Sequence, residues 1–264
     1  MTCSLAVLAE IADSSDHTDG GTAIQRKERP GMRNIIITDL TRFSQPIDVC
    51  TAGTDVSSKS CIRPMPYLKM ASCAQLGLLP GAILSGDFVP IAGLTGPHQE
   101  DAAYSKLRFV GPCTSAQFRD ALHAGLFKSV EEGFAIKLGA NQKHVPVGHP
   151  LTRSIITIAV KPDSIRIVED GYKPGKIRVH FSDGTGRQFR YLAITDLGFH
   201  RYAERHFADQ NLPSLNAFIG SQPEAYVRLG LSRAHQIGST LGYWMQVNGI
   251  YTFPDFIKEI RSYK

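Results

Sequence analysis

The sequence lacks the short patterns that identify most enzyme active sites. Its 264 residues contain no GxGxxG or GxxxxGK[ST] glycine loop, which would bind a dinucleotide or a nucleoside triphosphate. They also contain no GxSxG turn, the usual setting of a nucleophilic serine, and no HExxH zinc pattern. We therefore predict no catalytic residue and no cofactor.

Cysteines are few, and long apolar runs are missing. The five cysteines form no CxxC pair, which argues against a zinc site and a disulfide framework and favours reduced thiols in a cytoplasmic protein. No apolar run reaches the roughly 18 residues that span a bilayer, so we predict no membrane partner. Acidic residues such as Asp39 stand singly at the ends of predicted strands, where aspartate is usually a turn former. We therefore predict no bound metal.

Acidic residues are scarce relative to basic ones. The net charge is +5, although residues 1–32 hold five acidic and three basic side chains, which leaves +7 on residues 33–264. A basic domain attracts polyanions, and nucleic acid is the commonest of them.

The pattern along the chain predicts a mainly β protein with a few helices. Residues 1–31 are polar and are expected to be disordered, so that the ordered protein begins at Met32, which is also a candidate for the translation start. Short alternating runs then predict two β-modules, 32–149 with a helical insertion and 150–264 with a C-terminal helix, separated at the proline-rich VPVGHPLTR. The predicted helices are Ser115–Gly125, Phe199–Gln210 and Pro254–Tyr263.

The segment from Tyr226 to Asp255 is the most informative part of the sequence. Two strand-like runs present arginines, the single tryptophan and two amides, a set that suits stacked bases and their edges. Two alternatives remain for it: the terminal helix covers Trp244, or Asn248-Gly249 forms a hairpin turn. Elsewhere, Arg63 precedes a proline at the end of an early strand, where a guanidinium is well placed for phosphate. The candidate nucleic-acid-binding residues are Arg63, Arg228, Arg233, Trp244, Gln246 and Asn248.

Four segments together resemble a known family. IIITDLTRF, VCTAGTD, CIRPM and the region from RLGLSR to YWMQVNGIYTFPDF are similar in order and spacing to the prokaryotic dual OB-containing domain family. This resemblance covers residues 33–264. It implies two OB-like small β-barrels in tandem and a nucleic-acid-binding accessory of a bacterial defence or nucleic-acid-processing system, with no catalytic residues to carry over.

Three functions follow as hypotheses. The first is a non-enzymatic protein that binds single-stranded DNA or RNA through a basic β-surface. The second is a metal-dependent enzyme acting on nucleotides or nucleic acid, with Asp39 as a metal ligand. The third is a protein–protein adaptor subunit of a larger system, anchored by the patch around Trp244.

Overall fold

The first half of the chain closes into a five-stranded barrel. The structure is a computed structural model, which describes residues 31–45 and 47–264. The elements of this half are β1 (Met32–Arg42), β2 (Asp48–Asp55), β3 (Cys61–Met65), β4 (Leu68–Lys69), α1 (Met70–Gln75), β5 (Ala82–Pro90) and β6 (Asp101–Pro112). The ring runs β1–β2–β3–β6–β5 and returns to β1, with β3 and β6 parallel and the other neighbours antiparallel. Numbering the five long strands in chain order gives the cycle 1-2-3-5-4-1, and α1 lies between the third and the fourth.

Strand β1 is apolar on both faces because both faces are covered. Ile35 and Ile37 point into the first barrel, whereas Ile36 packs against Tyr226 and Tyr251 of the second half. A strand buried on both faces is a nearly continuous run of apolar residues, which explains IIITDL.

The second half forms a second sheet with a similar path. Its elements are β7 (Leu126–Phe127), β8 (His144–Pro146), β9 (Ile155–Val160), β10 (Arg166–Glu169), β11 (Ile177–Ser182), β12 (Gln188–Ile194), α4 (Leu197–Ala208), α5 (Leu212–Gly220), β13 (Glu224–Leu231), β14 (His235–Ile237) and β15 (Thr240–Phe253). The strand order is β10-β11-β12-β15-β13-β9-β7, and β12 runs parallel to β15. A 3-10 turn at Pro162–Ser164 joins β9 to β10.

The two sheets share one topology. If β9 and β10 are counted as one strand interrupted by the 3-10 turn, the second sheet repeats the order 1-2-3-5-4-1 with helices between the third and fourth strands. A five-stranded Greek-key barrel of this kind is the OB-like architecture. The predicted fold class, mainly β with a few helices and OB-like, is therefore confirmed.

A helical region connects the barrels. Helix α2 (Ser115–His123) begins at a capping box formed by Thr114 and Gln117. Its buried residues pack against both barrels, and the short helix α3 (Val130–Gly133) follows. Strands β7 and β8 pair with β9 and β15, so the chain already contributes to the second sheet from Leu126 onward, before the predicted boundary at residue 149.

The predicted C-terminal helix is wrong. Residues after Phe253 contain one 3-10 turn, Lys258–Ile260, and then continue in an extended form. The Ser262 amide donates to the Pro80 carbonyl at 2.8 Å, and the Lys264 carbonyl accepts from the Ser115 amide at 2.6 Å. These bonds to distant parts of the chain satisfy the backbone in place of helical bonds. Local helical spacing of apolar residues was therefore overridden by tertiary contacts.

The predicted disorder of residues 1–31 lies outside the described residues, apart from Gly31. Across the described ranges, no helix has both the length and the apolar character needed to cross a membrane.

Candidate functional site

A pocket lies where the two barrels meet. It has a volume of about 220 Å³, and we refer to it as the inter-barrel pocket. The first barrel contributes the end of β1, the start of the β1–β2 loop and parts of β2 and β3. The second barrel contributes the β13–β14 connection and β15. Its lining residues are Thr41, Arg42, Phe43, Cys50, Arg63, Tyr67, His98, Ile155, Leu231, Ser232, Arg233, Ala234, His235, Gln246 and Asn248.

Aromatic and cationic side chains lie together in the pocket wall. The rings of Phe43 and Tyr67 are 4.9 Å apart between centroids and tilted by 51°. The Arg233 guanidinium lies 5.8 Å from the Tyr67 centroid, and its Nε donates to the Tyr67 hydroxyl at 3.0 Å. Because the Arg233 side chain is 46% exposed, this cluster presents two π-faces and one accessible positive charge to a ligand.

Carboxylates at the start of β6 hold the two arginines of the pocket. Asp101 Oδ1 accepts from Arg63 Nε at 2.5 Å, and Asp101 Oδ2 accepts from Arg233 Nη2 at 2.8 Å. Arg63 also donates to Ser154 of the second barrel at 3.1 Å, and Glu100 accepts from the Ser154 amide at 2.6 Å. The pocket wall is therefore fixed by a charge cluster that crosses the barrel boundary.

Unused hydrogen-bonding groups lie in the pocket lining. Thr41 Oγ1 is buried and has no hydrogen-bond partner within the described ranges. Asn248 Oδ1 accepts from Thr195 at 3.0 Å, and Gln246 lies two residues before it on β15. Buried polar groups normally have a partner, so a free hydroxyl beside two amides is suited to a polar ligand.

His98 contributes a neutral imidazole to the pocket. Burial, together with the charges of Arg63 and Arg233, lowers the pKa of His98 to about 4. Its Nε2 lies 3.2 Å from the Leu231 carbonyl, so the neutral ring donates from Nε2 and keeps Nδ1 as an acceptor. The β5–β6 loop of the first barrel is thereby bonded to β13 of the second.

The shifted pKa of His98 predicts a pH-dependent stability. In the unfolded chain this histidine takes up a proton near pH 6.5, whereas the folded protein resists protonation until about pH 4. The unfolded state therefore binds more protons between these values, and stability falls as the pH falls through this window, by on the order of 1–3 kcal/mol. Urea unfolding at several pH values measures this slope. We expect His98→Gln to make this slope shallower, and an unchanged slope in His98→Gln contradicts the assignment.

Cys50 lines the pocket as a thiol. Burial raises its pKa to about 11, so almost no thiolate is present at neutral pH. Nucleophilic cysteines have depressed pKa values and lie in electropositive, accessible surroundings. Cys50 therefore contributes shape and polarity rather than reactivity.

The structure does not place Arg228 on a binding surface. It is buried at the contact between the barrels, where its Nη2 donates to Asp39 Oδ2 at 2.7 Å and to Thr38 Oγ1 at 3.1 Å, and its Nη1 donates to Thr157 at 2.9 Å. The predicted phosphate contact is replaced by an internal ion pair because the face of β13 that carries Arg228 is covered by β1. The Asp39 carboxylate is bonded in this ion pair and is fully buried. It therefore does not face a cleft, as a metal ligand in an active site would.

Arg63 is also less accessible than predicted. Strand β3 is not an edge strand, because it pairs with β2 on one side and β6 on the other. The Arg63 side chain is 4% exposed and reaches the pocket wall while bonded to Asp101. Arg63 therefore adds positive electrostatic potential to the pocket, but its guanidinium N–H groups are already bonded within the protein.

Trp244 lies beside the inter-barrel pocket but outside its lining. It is partly exposed on β15, opposite His144 of β8, with the two rings 4.9 Å apart. Its Nε1 donates to the His235 carbonyl at 3.0 Å, and the His235 ring is 6.1 Å away. The terminal segment does not provide these contacts, and Asn248-Gly249 continues β15 without a turn. The stacking role of Trp244 stays a prediction.

The structure thus brings four of the six predicted residues to one place. Arg63, Arg233, Gln246 and Asn248 line the pocket, Trp244 adjoins it through His235, and Arg228 lies elsewhere. Sequence reasoning missed Phe43 and Tyr67. A signal was present in the sequence. Phe43 directly follows the arginine that ends β1, and Tyr67 stands two residues after the end of the proline-containing strand β3.

Comparisons with protein-family models, with curated proteins and with solved structures each find no match.

Within residues 31–45 and 47–264, no group of three or more histidine, cysteine, aspartate or glutamate side chains is arranged so that it could hold a metal ion.

Proposed function

We propose that this protein binds single-stranded DNA or RNA, without catalysis, and that the inter-barrel pocket receives one nucleotide of the strand. The observation that carries the proposal is the Phe43, Tyr67 and Arg233 cluster at the loops of an OB-like barrel. OB barrels commonly bind oligonucleotides through strands 2 and 3 and the loops that follow strands 1 and 4. The pocket includes those parts of the first barrel, namely β2, β3 and the β1–β2 and β5–β6 loops, and adds Tyr67 from the loop after β3.

The chemistry of the pocket suits a nucleotide. A base stacks on the Tyr67 or Phe43 ring, which is sequence-tolerant because every base has a π-face. The exposed Arg233 guanidinium faces a phosphate, while Gln246 and Asn248 offer donors and acceptors to a base edge. The +7 charge of residues 33–264 adds long-range attraction for the strand. This function agrees with membership of the prokaryotic dual OB-containing domain family, a cytoplasmic location and an accessory role in bacterial defence or nucleic-acid processing, which we propose with it.

One observation favours a second function, that of a protein–protein adaptor. The β14–β15 hairpin, next to Trp244 in the chain, carries two exposed apolar residues: Ile237 is 52% exposed and Leu241 is 53% exposed. Ile237 shares a face with Trp244, because Ile237 pairs with Thr240 and side chains alternate along β15. Exposed apolar residues on a short projecting hairpin are suited to a protein partner. In this alternative Trp244 contacts protein, and the pocket functions independently of it.

Binding of labelled oligonucleotides, followed by fluorescence anisotropy at two salt concentrations, tests the proposal. We expect Tyr67→Ala to weaken single-strand binding by about 1–3 kcal/mol and Tyr67→Phe to preserve it. We expect Arg233→Ala to weaken binding and to lower the salt slope by about one, because one phosphate contact is lost. Lys137→Ala is the matched control, since Lys137 is 96% exposed and outside the pocket.

The same titration separates the two functions. Single-strand binding that is absent at low salt, or that is unchanged in both Tyr67→Ala and Arg233→Ala, would sink the pocket proposal. Trp244→Ala is predicted to weaken binding without changing the salt slope. If Trp244→Ala instead binds like the wild type, the hairpin carrying Trp244 belongs to the adaptor function.

A further inference from the structure

A second aromatic and basic cluster lies on the second barrel, away from the inter-barrel pocket. Tyr172, in the β10–β11 loop, is 80% exposed. Its ring is 5.4 Å from that of Tyr191 on β12, which in turn is 4.5 Å from the His180 ring on β11. Lys143 Nζ lies 5.9 Å from the Tyr191 centroid. Together with Arg190, these side chains form what we call the outer-face cluster: Lys143, Tyr172, His180, Arg190 and Tyr191.

A β-bulge builds this cluster. Val179 pairs with Leu192 and Phe181 with Phe189, so that Arg190 and Tyr191 together oppose His180. Tyr191 has a φ of 55°, in the left-handed region that a bulky side chain rarely occupies. Bulges redirect side chains, and strained residues of this kind concentrate at functional sites. In this conformation the Tyr191 ring contacts Tyr172 and His180.

The cations of the cluster have few acidic neighbours. Arg190 donates to the Gln188 amide oxygen at 2.7 Å, and neither Arg190 nor Lys143 forms an ion pair with another described residue. Asp170, an acidic group whose charge acts on Lys143, is bonded to Arg178 at 2.8 Å. Burial, Arg190 and Lys143 lower the pKa of His180, as expected for a histidine in a positive environment. The positive charges of Arg190 and Lys143 are therefore suited to an anionic ligand.

A small pocket opens next to the cluster. It has a volume of about 190 Å³ and is lined by Ser164 and by residues of β11 and β12, both polar (His180, Ser182, Gln188 and Arg190) and apolar (Phe181 and Phe189). His180 Nε2 belongs to this lining and is buried without a hydrogen-bond partner in the described part of the chain. Buried ring nitrogens normally have a partner, so His180 Nε2 is available to a ligand that enters this pocket.

We propose that the outer-face cluster is a second contact site for the same single strand of nucleic acid. A base stacks on the exposed Tyr172 ring, which Tyr191 supports edge-on at an interplanar angle of 72°; the phosphate beside it contacts Arg190 and Lys143, and His180 Nε2 bonds to the nucleotide. This inference rests on the function proposed above, because it assigns the second barrel to the strand that occupies the inter-barrel pocket. The two sites share no residue: the inter-barrel pocket takes its walls from both barrels, whereas the outer-face cluster lies on the second barrel alone.

The two sites make affinity depend on strand length. The buried Arg228–Asp39 ion pair between the barrels holds both sites on one body, so a strand that reaches both binds the second site at a high effective concentration. A strand that is too short occupies one site at a time. OB barrels contact about 4–16 nucleotides each, so the rise is expected between roughly 8 and 30 nucleotides.

A length series of poly-thymidine oligonucleotides tests the proposal on the full-length protein. We expect wild-type affinity to rise more than tenfold over the series. We expect Tyr172→Ala and Arg190→Ala to bind the shortest oligonucleotides like the wild type and to lose most of that rise. Tyr172→Phe, which keeps the stacking face, is expected to retain it, as is the charge control Lys137→Ala. Because Tyr172 and Arg190 are exposed, equal melting temperatures will establish that the variants are folded.

The outcomes distinguish this inference from the proposed function. If the wild type binds no oligonucleotide, both fail. If it binds with a length dependence that Tyr172→Ala and Arg190→Ala leave intact, the second site is overturned while the inter-barrel pocket stands. Histidine NMR gives an independent readout. We expect the His180 signals to shift and the His180 pKa to rise when a long strand binds. His180 signals that do not change in this titration would contradict the site.

Discussion

Replacing Arg228 with methionine is expected to destabilise the protein by about 3–5 kcal/mol, the cost of leaving a buried charge without its partner. Its guanidinium bonds to Asp39, Thr38 and Thr157, and the side chains of the ion pair are 3% and 1% exposed. Methionine fills a similar volume without the charge, so the loss reflects the unpaired Asp39 carboxylate rather than a cavity. The free energy of unfolding from urea titration measures the effect.

A double variant tests the cause of this loss. Asp39→Asn removes the remaining charge, so Arg228→Met combined with Asp39→Asn is expected to be less destabilised than the sum of the two single variants. Arg233→Ala is the contrasting arginine substitution, with a loss below about 1 kcal/mol because the Arg233–Asp101 pair is partly exposed. Additive single losses, or equal losses for Arg228→Met and Arg233→Ala, would contradict the buried-pair assignment.

This ion pair matters for function because it joins the barrels. Asp39 belongs to β1 and Arg228 to β13, and Tyr251 of β15 also donates to the Thr38 carbonyl at 2.5 Å. A second cluster around Arg63 and Glu100 joins them at the inter-barrel pocket. A pocket whose walls come from two barrels needs such fixed contacts, since preorganised sites lose less entropy when a ligand binds.

The strand content of the fold could be predicted because it depends on local patterns. In β11 the alternation of Ile177, Val179 and Phe181 with polar residues predicts one buried face, and the structure buries those three side chains. Asp183 followed by glycine predicts the turn into β12, and Asp183 Oδ1 indeed accepts from the Thr185 amide at 3.0 Å. Such signals need no knowledge of the rest of the chain.

The site was harder to predict because it depends on contacts between distant segments. Alternation places Arg228 on the polar face of β13, but nothing local indicates that β1 covers that face with Asp39. Phe43 and Tyr67 meet because the barrel closes, and Arg233 reaches them from more than 160 residues away in the chain. Buried arginines and surface arginines have the same local pattern, so burial and partner choice required the tertiary structure.

The C-terminal segment supplies the other large effect: Tyr263→Ala is expected to cost about 3–5 kcal/mol of stability, as for other large buried aromatic side chains. The ring is 2% exposed and is stacked on Phe118 of α2 with centroids 4.2 Å apart. It also packs near Phe253 and Phe256, so its removal opens a cavity in the cluster that joins α2 to both barrels.

Tyr263→Phe separates packing from hydrogen bonding at the same position. The Tyr263 hydroxyl is buried and has no hydrogen-bond partner across the described residues, so the phenylalanine variant is expected to be as stable as the wild type or slightly more stable. Thermal and urea unfolding of the two variants give the comparison. A Tyr263→Phe protein as unstable as Tyr263→Ala would mean that the hydroxyl, and not the stacked ring, holds the chain end. A stable Tyr263→Ala protein would mean that the terminal segment is dispensable to the contact between the barrels.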